Sequence, residues 1–110
     1  MGKFVKGDIV VINFPFSDLS GVKRRPALVL AALDGPDIIL CQITSRAKAD
    51  KYAVSLGKND YASGSLAVDS LIRPNKIFSA DNSLILYTAC KAKTEKISEV
   101  IACIIRIMND

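Results

Sequence analysis

The sequence contains no histidine, no tryptophan and only three cysteines. Without histidine, the chain lacks the commonest general acid–base group and the commonest transition-metal ligand. Cys41, Cys90 and Cys103 show no C-x-x-C spacing and stand among apolar neighbours. Such cysteines are typical of small buried side chains in a reducing compartment rather than of a disulfide framework or a zinc site. The sequence therefore predicts neither a metal nor another cofactor.

Long apolar runs are missing as well. A run such as PALVLAAL, residues 26–33, is far shorter than the roughly 20 residues that span a bilayer. The basic start, Met1–Lys6, is followed by an acidic strand start rather than by the apolar core and cleavage site of a signal peptide. We therefore expect a soluble, cytoplasmic protein without a membrane partner.

The composition is that of an ordinary globular protein. Of the 110 residues, 50% are hydrophobic and 24% are charged, and the net charge is +4. This length predicts one domain, residues 1–110, with a single core. The positive balance indicates a mild preference for anionic partners such as nucleic acid.

Hydrophobic patterning predicts a mainly β chain that ends in one helix. The predicted strands are residues 9–14, 26–33, 38–44, 51–56, 66–72 and 82–88, with a loop over 57–65 and an interruption at Pro74. The turn signal Asp34–Pro36 predicts that the second and third strands form an antiparallel hairpin. Together these elements predict a small antiparallel barrel with helical cover.

The last segment, residues 94–109, follows the helical period. Its apolar positions are Ile97, Val100, Ile101, Ile104, Ile105 and Met108, and its polar face carries Lys96, Glu99, Cys103 and Arg106. Thr94 is the predicted N-cap. We therefore expect one amphipathic helix that packs its apolar stripe on the sheet.

One stretch, FSDLSGVKRR, carries the strongest hint of function. Its ten residues, 16–25, exceed the two to five that usually connect a hairpin, and long loops in compact domains are often functional. Pro26 restricts Arg25 to an extended conformation at the start of a buried strand. A guanidinium held there presents a planar donor fork that matches a phosphate.

The predicted hairpin adds hydroxyl groups to that arginine. If residues 26–33 and 38–44 pair regularly, Arg25 meets Thr44 and Ser45 at the same end of the pair. An arginine fork beside hydroxyls is a small phosphate site. The alternative interpretation is that the cations only solvate a loop and that Thr44 and Ser45 only form a turn.

These residues resemble a known family. The stretch KGDIVVINFPFSDLSGVKRRPALVL (residues 6–30) is similar to the first motif of the MazF/PemK toxins, QITS (42–45) to the second, and DSLIRPNKIF (69–78) to the third. The resemblance covers nearly the whole chain in the right order. It implies a small SH3-like or CcdB-like β-barrel, a homodimer, metal-independent cleavage of single-stranded RNA, and a cognate antitoxin.

The resemblance also assigns roles to residues. It implies that Arg25 and Thr44 are catalytic and that Arg73 acts at the scissile phosphate. The segment from Phe16 to Arg24 corresponds to the loop that borders the RNA channel. Some relatives place an acidic base where this chain has Asn75. Since an amide cannot take that proton, a mechanism that needs the carboxylate is in doubt here.

The expected reaction is attack of a ribose 2′-hydroxyl on the adjacent phosphate, with Arg25 and Thr44 stabilising the phosphoryl oxygens. Ser45 is a further candidate for phosphate binding. Ser17 and Asp18 are candidates for the general base, although turn formation is the simpler explanation for both. The expected RNA-binding residues are Phe16, by stacking, and Lys23, Arg24, Arg46 and Lys48, by contacts with phosphates.

Two other functions fit the same barrel. Toxins that poison gyrase carry a Trp-Gly-Ile tail, whereas this sequence ends with Met108-Asn109-Asp110 and has no tryptophan. A non-catalytic SH3-like module that binds nucleic acid or a protein would keep the basic stretch. It would not need Arg25 and Thr44 to lie together.

Overall fold

The computed structural model of the chain describes residues 4–15, 22–45 and 51–110. These residues form seven β-strands, a 3₁₀ turn at Asn82–Leu84 and one α-helix. The strands are β1 (Asp8–Pro15), β2 (Val22–Ala32), β3 (Asp37–Thr44), β4 (Val54–Leu56), β5 (Tyr61–Ser63), β6 (Ser70–Asp81) and β7 (Ile85–Ala92), and the helix is α1 (Thr94–Met108).

All seven strands belong to one sheet with the order β4-β6-β3-β2-β1-β7-β5, and every neighbouring pair is antiparallel. The sheet curls into a nearly closed barrel, and α1 packs against β6 and β4. The predicted fold class, a small antiparallel β-barrel with one C-terminal helix, is therefore confirmed. The prediction of five or six strands was short by β5, which lies within the predicted loop 57–65.

The hairpin that matters for the site, β2–β3, forms as predicted. Val29 pairs with Leu40, and the Leu33 N–H donates to the Asp37 carbonyl at 3.1 Å to close the turn. Gly35 adopts φ +86°, a conformation that glycine reaches without steric cost. The Asp-Gly-Pro stretch therefore predicted both the position of the turn and the antiparallel pairing of β2 with β3.

Several strand boundaries differ from the prediction, and two of the differences affect the site. β2 begins at Val22, so Lys23, Arg24 and Arg25 lie within a strand that pairs with β1 rather than at the end of a loop. β6 does not stop at Pro74 but continues to Asp81. Pro74 is tolerated because it lies in a bulge, where its missing N–H is not needed for the ladder.

The helix agrees with the predicted segment to within one residue at each end, but its cap differs. Its N-cap is Lys93, not Thr94, and no side chain caps the first turn. Lys96, predicted on the solvated face, is only 8% exposed because its Nζ lies 3.0 Å from Glu99 and 3.7 Å from Asp60. Conversely, Ile105 and Met108 are 54% and 70% exposed, so the helix buries mainly its first half.

Two apolar clusters lie on opposite faces of the sheet. The first cluster joins the barrel strands to the helix and consists of Ile9, Leu28, Leu30, Cys41, Ile43, Val54, Leu56, Ile72, Cys90, Ala92, Ile97 and Val100. The second cluster consists of Val10, Ile12, Ala27, Val29, Ile38 and Leu40. Adjacent residues of one strand belong to different clusters because side chains alternate along a strand.

The cysteines follow the sequence prediction in two cases of three. Cys41 and Cys90 are buried in the first cluster, whereas Cys103 is half-buried and its thiol contacts the Tyr52 carbonyl at 3.7 Å. Burial raises the pKa of the Cys41 thiol to about 12 and raises that of Cys90 as well. These two side chains therefore serve as packing groups rather than nucleophiles.

Candidate functional site

Strand alternation places Arg25 on the same face of the sheet as the second cluster. Ala27 belongs to that cluster, and Arg25 lies two residues before it on β2. Arg25 is also directly opposite Ile12, another member, on β1. We call this face, with its second cluster and the polar residues at one end of it, the site face.

Thr44 lies on the site face at the same end as Arg25. The β2–β3 ladder runs as far as the pair Ala27 and Gln42. Arg25 and Thr44 each lie two residues beyond this pair, on the two strands that it joins. Residues opposite each other in such a ladder have Cα atoms about 4.5–5.5 Å apart, so the hairpin brings both side chains to one edge of the barrel.

Arg73 reaches the site face from the next strand. Gln42 pairs with Ala27 on one side and with Arg73 on the other, and Thr44 pairs with Leu71. Since Ile72 between them belongs to the first cluster, Leu71 and Arg73 point to the opposite face. Three strands therefore deliver Arg25, Thr44 and Arg73 to one region.

The side chains of Arg25, Thr44 and Arg73 are less exposed than that of the neighbouring Arg24, which suits a binding edge. Arg25, Thr44 and Arg73 are each half-buried, and the Nε atom of Arg25 is buried. Partial burial restrains a side chain and strengthens its electrostatic interactions, because less water screens the charge. By contrast, Arg24 is exposed and pairs with Asn13 across the β1–β2 ladder.

Ser45 is exposed and lines an open groove. This open groove of about 530 Å³ is lined by Ser45, Ser55, Leu56, Gly57, Lys58, Asn59, Asp60, Asp69, Ser70 and Leu71. Because Ser45 directly follows Thr44, the groove borders the site face at its end. The role predicted for Ser45 in phosphate binding remains a prediction.

Several predicted residues lie outside the described part of the chain. These are Phe16, Ser17, Asp18, Arg46 and Lys48. For Lys23 only the backbone is described, and it pairs with Phe14 on β1. The roles predicted for these side chains remain predictions.

Three residues at the site were missed by sequence reasoning. Gln42, Lys76 and Phe78 line an open groove together with Arg73 and Ile77. A glutamine inside the apolar strand IILCQIT was the one available signal, since strand interiors that face a core seldom carry amides. No sequence signal near Gln42 could predict that Lys76 lines the same groove, because the pairing of β3 with β6 brings the two residues together.

Within residues 4–15, 22–45 and 51–110, no group of three or more His, Cys, Asp or Glu side chains could hold a metal ion. In the same residues, no helix is long and apolar enough to cross a membrane.

The fold and this polar cluster define a small β-barrel protein with a cationic edge on one sheet face. The chain belongs to the family of PemK-like, MazF-like toxins of type II toxin–antitoxin systems, which it matches over residues 5–108. The resemblance predicted from the three sequence motifs is therefore confirmed. No curated protein matches the chain significantly.

Solved structures agree with this membership. The chain is similar to MazF from Deinococcus radiodurans, with 25% identity, a TM-score of 0.76 and coverage of 97% of both chains. A MazE–MazF crystal structure from the same organism gives 25% identity, a TM-score of 0.78 and coverage of 99% and 98%. A mycobacterial endoribonuclease in complex with its cognate antitoxin has a TM-score of 0.74 over 96% and 95% of the two chains, but 10% identity, so it shows the fold alone.

Proposed function

We propose that this protein is a sequence-selective endoribonuclease toxin that cleaves single-stranded RNA without a metal ion. Family membership supports the class. The observation that carries the chemistry is the position of Arg25 and Thr44 at the same end of the β2–β3 hairpin, on one sheet face, with Arg73 on the next strand.

The reaction uses a nucleophile that the substrate supplies. A ribose 2′-oxygen attacks the adjacent phosphorus, the bond to the 5′-oxygen breaks, and the products are a 2′,3′-cyclic phosphate and a 5′-hydroxyl. The proton leaves the 2′-hydroxyl, and another proton reaches the departing oxygen. DNA lacks the attacking group, so the reaction is restricted to RNA.

The protein contributes charge stabilisation and positioning. Arg25 donates to the phosphoryl oxygens, on which negative charge grows during attack, and Thr44 donates to the same group. A preorganised donor of this kind is worth roughly 10²–10³ in rate. Arg73 and Ser45 hold the phosphate from the neighbouring positions. Since a guanidinium is a poor base, proton removal falls to another group, for which Ser17 and Asp18 are the candidates.

Asn75 does not serve as that base. It is exposed in the bulge of β6, and an amide cannot accept the proton. The expected grip on RNA comes from Lys23, Arg24, Arg46 and Lys48 on phosphates, with Phe16 stacked on a base. Binding of this type weakens steeply as salt rises.

The proposed partners follow from family membership. A cognate antitoxin would cover the site face with an acidic segment that contains apolar residues, since the cationic edge favours such charge. MazE–MazF complexes from Deinococcus radiodurans are among the similar structures, which supports a partner of this kind. We further propose that residues 1–110 act as one domain, as a homodimer, in the cytoplasm.

Cleavage of defined RNA in the presence of EDTA tests the proposal. Mixed-sequence single-stranded RNA should yield fragments with 5′-hydroxyl and cyclic-phosphate ends, as read by end mapping. A matched substrate with 2′-deoxyribose at the mapped position should stay intact. Intact RNA with a folded protein would overturn the nuclease assignment, and tight binding without cleavage would favour the non-catalytic module instead.

A further inference from the structure

A bulge in β6 brings two cations to Gln42. Cys41 pairs with Ile77, but the next residue of β3, Gln42, pairs with Arg73. Pro74, Asn75 and Lys76 therefore have no counterpart on β3. Bulges of this kind redirect side chains and are common beside functional sites.

The bulge is anchored rather than loose. Pro74 is among the side chains that are less than 2% exposed, whereas Asn75 and Lys76, which follow it in the bulge, are exposed. A buried proline restricts the backbone on both sides of it. The position of Lys76 beside Gln42 is therefore a product of the packed sheet.

The result is an open groove of about 390 Å³ that combines three kinds of surface. Gln42 contributes an amide, Arg73 and Lys76 contribute positive charge, and Phe78 contributes apolar surface. Phe78 is half-buried and packs against the second cluster. An amide, cations and an apolar wall together match a nucleotide, which offers a base edge, a phosphate and a flat base face.

The groove lies one step along the sheet from the catalytic pair. Gln42 is two residues from Thr44 on β3, and both lie on the site face. Two residues of a strand span roughly 6.6 Å, which is of the order of one nucleotide in an extended chain. A strand of RNA with its phosphate at Arg25 and Thr44 therefore has its neighbouring nucleotide within reach of the groove.

We propose that this groove binds the nucleotide next to the scissile phosphate and that Gln42 reads its base. Lys76 contacts the phosphate of that nucleotide, and the Phe78 side chain contacts the face of the base. An amide offers an N–H donor and a carbonyl acceptor side by side, which match the N7 and N6 atoms of adenine when the base presents that edge to the groove. The site thus prefers adenine at this position. The inference rests on the proposed function and adds its sequence preference.

Binding of short RNA with 2′-deoxyribose at the cleavage position tests the inference without cleavage. Four oligonucleotides that differ only in the neighbouring base should bind the wild type with adenine favoured by roughly 5- to 100-fold, the range of one bidentate amide–base pair. Gln42→Ala should bind all four alike. Gln42→Glu keeps the size of the side chain and should move the preference towards cytosine, whose amino group donates to a carboxylate.

Lys76→Ala tests the phosphate contact separately. It should weaken binding of all four oligonucleotides equally and lower the salt slope by about one, because one fewer counterion is released. Lys93→Ala is the matched control. It removes the same charge from an exposed residue at the start of the helix, away from the groove.

The outcomes separate this inference from the proposed function. RNA that the wild type neither binds nor cleaves overturns both. An unchanged base preference in both Gln42 variants, with Lys76→Ala equal to Lys93→Ala, overturns only the inference. Variants that bind RNA normally but lose an acidic antitoxin peptide would show that the groove is a protein-docking surface, and the inference would be wrong. Thermal melts of every variant establish that the folded protein is compared.

Discussion

The two faces of the same sheet differ in what they contain. The first cluster is apolar throughout, apart from two buried thiols, and α1 covers it. The site face begins with a similar row, Val10, Ala27 and Leu40, but ends in Arg25, Gln42, Thr44 and Arg73. A single set of alternating strands thus supplies the core with one half of its side chains and the candidate chemistry with the other half.

This difference indicates where stability and activity reside. Apolar side chains that are wholly buried stabilise the fold, whereas half-buried arginines lose hydration and rely on partners for compensation. Substitutions on the helix-covered face should therefore change the free energy of unfolding with little effect on the activity of the folded protein. Substitutions at the polar end of the site face should do the reverse.

The largest expected effect is that of Arg25→Ala. Loss of the donor fork should lower the rate of RNA cleavage by roughly 10²–10³. The free energy of unfolding should change little, since no large apolar side chain is removed. Single-turnover cleavage and denaturant melts of the same preparation measure both quantities. Full activity in a folded variant would mean that the catalytic residues lie elsewhere in the molecule.

Ile9→Ala makes the converse change. Ile9 is fully buried in the first cluster, and its truncation should cost about 2–5 kcal/mol of unfolding free energy through lost burial and a cavity. Cleavage per folded molecule should stay within a few-fold of wild type. Urea titration measures the free energy of unfolding. Cleavage assays at urea concentrations below the unfolding transition measure the activity per folded molecule. A large loss of activity in the folded variant would contradict the separation of the two faces.

Two glycines sharpen the comparison because both have a positive φ that other residues rarely adopt. Gly7 and Gly35 have φ of +99° and +86°, but a Cβ at Gly7 would lie 2.6 Å from Ile97 Cδ1, whereas nothing lies within 4 Å at Gly35. Both alanine variants bear the conformational cost, about 1 kcal/mol. Gly7→Ala should lose further stability because it pushes against the helix, as thermal melts can show. Equal losses would mean that the helix yields freely.

The smallest effect concerns the thiols. Below pH 9, an alkylating reagent should modify half-buried Cys103 first and leave Cys41 and Cys90 protected until the barrel opens. Since the pKa of Cys41 rises to about 12 from an ordinary 9.0, the unfolded chain loses this proton first. Its contribution to stability should therefore be complete below pH 9 and fall as pH rises towards 12. Mass spectrometry of native and denatured protein measures the order of modification, and early labelling of Cys41 would contradict the packed first cluster.

Local signals in the sequence were sufficient for much of the fold. The Asp-Gly-Pro turn predicted the β2–β3 hairpin, and the helical period predicted α1 to within one residue at each end. Local signals failed where distant parts of the chain compensate a local cost. Pro74 stays within a strand because a bulge accommodates it, and Lys96 is buried because Asp60 and Glu99 neutralise it.

The sequence by itself determined the alternation that sends Arg25 and Thr44 to one face, because neighbouring side chains of a strand always point to opposite sides. It also determined the family, through three motifs in order. Only the tertiary structure decided that Lys76 and Arg73 both lie beside Gln42. This arrangement depends on the register of β3 against β6. Hydrogen bonds between these strands, which are distant in the chain, set that register together with the packing of both clusters.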